Sequence, residues 1–203
     1  MDYSKVVSKE SIDKTVESLN KNNIQTIVVS TGVEAKEKAL SMLPEGAEVM
    51  NMTSVTLDSL GISKEIQESG KYVSLRNKLF SLDRATQGKE MHQVGATPDY
   101  VIGSVHAITE DGKIFVASGS GSQLPAYSYG ATKVIFVIGA QKIVKDSEDA
   151  MKRIYDYTLP LESKRAHEAY GVPGSAVNEL LIINNNPVPE RITVIIVNES
   201  LGF

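Results

Sequence analysis

Apolar positions along this chain switch between a helical and a strand-like spacing, and the switches mark out its elements. Between Ser8 and Asn22, Ile12, Val16 and Leu19 stand at i, i+4 and i+7, which predicts an amphipathic helix ended by Asn22-Asn23. Gln25 to Ser30 (QTIVVS) is a β-branched run and reads as a short buried strand. Thr31, with Glu34 three positions on, forms a capping box that opens a second helix. Ala35, Ala39 and Met42 are its inner face, and Pro44 and Gly46 stop it. Ala47 to Met52 reads as the next strand, so the segment is β-α-β and predicts a parallel pair with a right-handed crossover.

The pattern then loosens. Leu57, Leu60, Ile62 and Ile66 predict broken helix as far as Gly70, and Tyr72 to Val94 is polar and read as helical, with Asp83 capping its second half. Its small stripe, Ala85, Gly88, Met91 or His92, and Gly95, suits close packing against this domain or a second subunit. Asp99 to Thr109 reads as one apolar strand, Asp111-Gly112 as a two-residue hairpin turn, and Lys113 to Ser118 as the returning strand. Leu124-Pro125 opens a short helix ending near Gly130. Lys133 to Ala140 (KVIFVIGA) is almost continuously apolar, as in a sheet covered on both faces. Asp146 or Ser147 caps a helix along Ala150, Ile154, Tyr157 and Leu161, which Pro160 bends or ends. Leu161 to Tyr170 is a second helical piece, and Leu180–Ile183 and Ile192–Val197 are strands around an Asn184–Pro189 turn. The order predicts one α/β domain over residues 1–203, with a helical N-terminal segment at about 8–22.

Composition narrows the chemistry. The sequence has no cysteine, which removes disulfides, thiolate zinc sites, iron–sulfur ligation and a thiol nucleophile together. A net charge of −4 speaks against nucleic acid or an anionic membrane surface as partner. No apolar run approaches the ~18 residues of a membrane span, and MDYSKVVSKESIDK has no apolar signal core, so a cytoplasmic protein is expected. No His, Asp and Glu cluster has metal-ligand spacing, so neither metal nor cofactor is expected.

Candidate chemistry gathers where predicted strands stop. Gly119-Ser120-Gly121-Ser122-Gln123 offers backbone approach, hydroxyls and a following helix N-terminus for an anion, though a tight strand-to-helix turn needs the same residues. It lacks the third glycine of a dinucleotide fingerprint and the Gly-Lys-Ser/Thr of a P-loop. Ser54 and Thr56 stand at another strand-to-helix junction, where hydroxyls cap a helix or bind an anion. Lys142, just past the KVIFVIGA strand, adds positive charge. His106 is a candidate proton carrier or a satisfied sheet histidine, and Glu199 a candidate proton carrier or a solvated terminal carboxylate. Glu110-Asp111 at the hairpin tip reads as solvated, and Glu162 with Arg165 as a helix-face ion pair.

In order, Ser54 to Leu57 (S-x-T-L), His106 to Gly112 (HAITEDG), Gly119 to Gln123 (GSGSQ), Val134 to Val144 (VIFVIGAQKIV) and the downstream Ala150 and Arg153 resemble the LUD domain of lactate-utilisation proteins. The resemblance runs from about Gln25 to Arg165. It implies a three-layer α/β/α sandwich like that of the NagB/RpiA/CoA transferase-like proteins. Some relatives carry iron–sulfur segments, which a chain without cysteine cannot supply, so this one resembles a stand-alone LUD domain. Two kinds of function follow as expectations. One is a small-molecule binding protein, or an isomerase/CoA-transferase-type enzyme, holding a phosphate- or carboxylate-bearing metabolite at the strand ends. The other is a non-catalytic accessory subunit of an iron–sulfur oxidoreductase in lactate oxidation, or a homodimer built on the small-residue stripe. A nucleotide-binding module is disfavoured, since only Asp146 or Glu148 stands where a ribose-binding acid belongs.

Overall fold

A computed structural model describes residues 2–203. Its centre is a six-stranded sheet in the order β1 (Gln25–Val29), β10 (Ile192–Val197), β7 (Lys133–Gly139), β4 (Tyr100–Gly103), β2 (Glu48–Asn51) and β3 (Val73–Ser74). All its pairings are parallel. Strand periodicity explains the apolar run of β7. Val134, Phe136 and Ile138 point to one face with Val101, Val194 and Ile196, while Ile135 and Val137 point to the other with Ile102, Ile195 and Val197. The first face is covered by α1 (Lys9–Lys21) through Ile12 and Leu19, and by α5 (Leu75–Ser81) through Leu75. The second is covered by α2 (Gly32–Ser41), α3 (Val55–Ser59) and α4 (Ile62–Glu68) through Ala35, Ala39, Leu57, Ile62 and Ile66. The three-layer α/β/α arrangement expected from the sequence is present.

A second sheet adds to the first face. It runs β8 (Ile143–Val144), β5 (Ala107–Thr109), β6 (Ile114–Ser118), β9 (Glu179–Ile183), with β5 and β6 closed by the Asp111-Gly112 turn, where Gly112 has φ 82°. Ile108, Ile114, Val116, Ile143 and Ile183 join the core of the main sheet. Ala107, Phe115, Ala117 and Val144 face Ala150 and Ile154 of a long helix. That helix is α7 (Ser147–Lys152), a π-helical segment (Arg153–Thr158) and α8 (Leu159–Tyr170) in succession. Pro160 does not end it: the wider turn just before the proline removes the need for the hydrogen bond its nitrogen cannot donate.

Several sequence expectations change in the folded chain. Asp99 to Thr109 is two strands in two sheets, with Ser104-Val105-His106 carrying the chain between them. β1 and β2 are parallel but separated by β10, β7 and β4. β9 and β10 belong to different sheets and form no hairpin. The Tyr72–Val94 helix is interrupted between α5 and α6 (Gly88–Ala96), where the Asp83 carboxylate accepts from Ala85 N at 2.9 Å and Thr86 Oγ1 at 2.9 Å. Each difference turns on a partner distant in sequence or on a local side-chain bond that competes with helix.

Gly103 ends β4 beneath the buried ring of Tyr127, and a Cβ there would lie 1.9 Å from Tyr127 Oη. Tyr127 itself packs edge-on against Phe136, with ring centroids 4.8 Å apart, so it has no room to yield. Gly103→Ala is expected to destabilise the fold by about 3 kcal/mol, read as a lower urea midpoint.

Candidate functional site

The carboxyl ends of β2, β4 and β7 open into a cavity of ≈ 1200 Å³, walled also by the end of β6, by α5 and α6, and by α8. This is where parallel α/β sheets place ligands. Ser54, Thr56, His106, Gly119, Ser120, Gly121, Ser122, Gln123 and Lys142 all line it. Glu199 does not; its carboxylate accepts from Gly32 N at 3.1 Å and caps α2.

Lys142 sits in the 3₁₀ turn that follows β7 and is 3% exposed. Its Nζ donates to Thr56 Oγ1 at 3.2 Å and to Ser104 Oγ at 3.1 Å. Thr56 in turn donates to Leu201 O at 3.1 Å, which leaves its lone pairs for the amine. No carboxylate pairs with Lys142 among the described residues. Burial, followed by the nearby charge of Arg153, pushes its pKa down to about 7.

His106 has a defined tautomer. Ala117 N donates to His106 Nδ1 at 3.0 Å, so the ring proton of the neutral form is on Nε2. Burial first, then the charges of Lys142 and Arg153, pushes its pKa down to about 3. A ring that is neutral and already uses its lone pair is a hydrogen-bond donor; this geometry suits that role better than proton carriage. Below it, Arg153 is the largest fully buried side chain. Its Nη1 donates to His106 O and, at 3.0 Å, to Thr158 Oγ1, while Nε and Nη2 have no partner.

The glycine–serine loop is largely satisfied by itself. Ser118 Oγ accepts from Ser120 N at 3.3 Å and Gly121 N at 2.8 Å, and donates to Gln123 Oε1 at 3.0 Å. Gln123 Nε2 donates to Ala117 O at 3.2 Å, and Ser120 Oγ to Ser122 Oγ at 3.1 Å. The Glu179 carboxylate crowds Gly121, where an added Cβ would stand 2.4 Å from Oε2. Two backbone donors thus serve a hydroxyl and an anionic side chain adjoins them, which makes this end of the cavity a poor anion cradle. Ser54 is likewise a helix cap, accepting from Leu57 N at 3.3 Å.

Positive charge is concentrated elsewhere. Arg76, Arg84, Lys142 and Arg165 line the cavity against two carboxylates, Glu162 and Glu179. Glu162 is engaged by Arg165 at 2.6 Å, as its spacing suggested. Arg76 donates to Thr53 Oγ1 at 2.8 Å and Asn51 O at 3.4 Å and lies over the Phe80 ring. Arg76 carries no signal in the sequence, and Arg84, with Gln87 and His92, reads there as a solvated face in preference to a site wall; both arginines stand in the polar stretch between β2 and β4, and only the fold brings that stretch over the strand ends.

Fold and cavity together define an α/β protein with a strand-end cavity in which Arg76 and Arg84 have no carboxylate partner among the described residues. The LUD domain model matches residues 12–197, and the chain belongs to that family. A DUF162 family protein from Deinococcus radiodurans has the same fold, with a TM-score of 0.58 at 15% identity over 95% of this chain and 99% of that one. Lower scores relate it to a D-ribose-5-phosphate isomerase in complex with phospho-erythronic acid (0.39, 12% identity, 84% of this chain and 95% of that one). The same holds for eIF2B delta from Chaetomium thermophilum (0.37, 13% identity, 71% of this chain and 58% of that one). No curated protein matches the sequence. Among the described residues no helix is long and apolar enough to cross a membrane.

Proposed function

We propose that this is a cytoplasmic LUD-domain protein whose cavity binds a small metabolite carrying a carboxylate or phosphate, in the service of lactate or organic-acid utilisation. The observation that carries the reading is the pair Arg76 and Arg84: two cations lining one cavity, neither paired with a carboxylate among the described residues. An anion there would supply the missing counter-charge in a partly dry site, where it is worth most. His106 Nε2–H and the hydroxyl of Ser104 are donors for the rest of the ligand. The tie to lactate rests on family membership.

Thermal unfolding in the presence of lactate, pyruvate, sugar phosphates, folates, acyl-CoAs and nucleotides tests it. A ligand at ~100 times its dissociation constant adds roughly 2.7 kcal/mol, which raises the midpoint by about 5–10 °C for a chain of this size. Arg76→Ala with Arg84→Ala is expected to reduce that shift by most of its size. A flat panel overturns the reading, and co-purification with an iron–sulfur oxidoreductase would then favour an accessory subunit.

A further inference from the structure

The two hydrogen bonds of Lys142 define what its amine has left. A neutral amine has two N–H donors and one lone pair. Thr56 Oγ1 and Ser104 Oγ receive one donor each, at 3.2 and 3.1 Å. Nζ is therefore held by both hydrogens, with no carboxylate paired to it among the described residues and its lone pair uncommitted. A lysine that only bound anions would be expected to stand charged and solvated at the mouth, as Arg84 does; this one is at the floor, 3% exposed. Burial without a counter-ion is the environment that keeps a lysine amine nucleophilic.

We propose that Lys142 forms a reversible imine with a small carbonyl compound that bears an anionic group. The inference rests on the anion-site reading above, since Arg76 and Arg84 are what would hold the charged end. In the step, the Nζ lone pair attacks the carbonyl carbon and the C=O π pair moves to oxygen. Both amine hydrogens leave with that oxygen as one water, and the C=N bond remains. The Thr56 and Ser104 hydroxyls, already hydrogen-bonded to Nζ, are placed to accept and return those protons. No oxidant, reductant or metal enters the step.

The test is reductive trapping on the wild-type chain. Protein is incubated with pyruvate, or with dihydroxyacetone phosphate, and reduced with cyanoborohydride; the site is read by peptide mass mapping. The expected result is one modified lysine, Lys142, heavier by the carbonyl compound less one oxygen, with at least one of the two probes. The other lysines, most of them exposed, are the internal control for random reaction. Competition by lactate, which has no ketone or aldehyde carbonyl to condense with the amine, is expected to lower the yield several-fold. Absence of an adduct with both probes overturns the proposal, and so does labelling scattered over surface lysines. The two readings fail separately. Pyruvate that raises the thermal midpoint but leaves no adduct removes the imine and keeps the anion site. An adduct at Lys142 that is insensitive to lactate and to Arg76→Ala removes the anion site and keeps the nucleophile.

Discussion

Lys142→Met is expected to stabilise the protein at neutral pH and to flatten its stability profile in alkali. The folded pKa of Lys142 lies near 7, against 10.5 for a free lysine, because burial and the Arg153 charge both oppose protonation. Between those two values the unfolded chain binds a proton that the folded chain does not. Stability therefore rises with pH through the window, by up to about 1 kcal/mol per pH unit. Below about pH 7 both states are protonated and the full penalty for burying the charge is present. Methionine has similar length and no charge. It gives up two hydrogen bonds, but Thr56 keeps its bond to Leu201 O and Ser104 is half-buried, so neither hydroxyl is stranded. A net gain of about 1–4 kcal/mol at pH 6–7 is expected, shrinking toward pH 10. Urea titrations at several pH values measure it; parallel profiles for the two proteins would show that Lys142 is not the titrating group. The same variant should lose the binding proposed above, a stability gained at the expense of a site.

Arg153→Ala is expected to act in the other direction, with a loss of about 3–5 kcal/mol. The guanidinium contributes hydrogen bonds to His106 O and Thr158 Oγ1 and lies over the Tyr157 ring, 5.3 Å from its centroid. Against these stand two buried nitrogens without partners. Bonds to a charged donor and orphaned donors are each worth about 1–3 kcal/mol, so the polar balance is small. The void left by the largest fully buried side chain decides the sign. A second effect follows from charge: without Arg153 the pKa of Lys142 moves back up, seen as a shift of the alkaline stability window to higher pH. A loss under about 1 kcal/mol would show that relief of the orphaned Nε and Nη2 offsets the void.

The fold was legible where one element's own residues determine it. KVIFVIGA is apolar at every strand position because both faces of β7 are covered, and no partner needs to be known to see that. Thr31 and Glu34 announced α2 through their side chains; Glu34 N donates to Thr31 Oγ1 as that spacing requires, although the Glu34 carboxylate accepts from Ser30 N rather than from Thr31 N. What the sequence could not show is set by distant partners. VIGSVHAIT has the same apolar content whether it forms one strand or two, and only β7 on one side and β6 on the other divide it. The site was legible as a set of strand-end residues, nine of which meet around the cavity while Glu199 turns away to a helix end. Their ranking was not. A glycine–serine loop looks like a cradle until Ser118 is seen to occupy its amides, and Lys142 reads in the sequence as one added charge among many candidates, its burial visible only in the fold.

The two sheets also bear on how this chain avoids its own kind. Each sheet ends in an exposed row of backbone donors and acceptors that a second molecule can extend into a fibre. Two of the four rims are stubs of two residues, β3 and β8, too short to template anything. The other two, β1 and β9, are five residues long. β9 begins on Glu179 and runs into Asn184-Asn185-Asn186-Pro187, so a charge stands at one end and a proline shortly after the other. β1 has neither guard: Gln25–Val29 is uncharged and Val28 is 47% exposed. At high concentration or on partial unfolding, aggregation should therefore start along β1, and a lysine at position 28 is the change that would protect it.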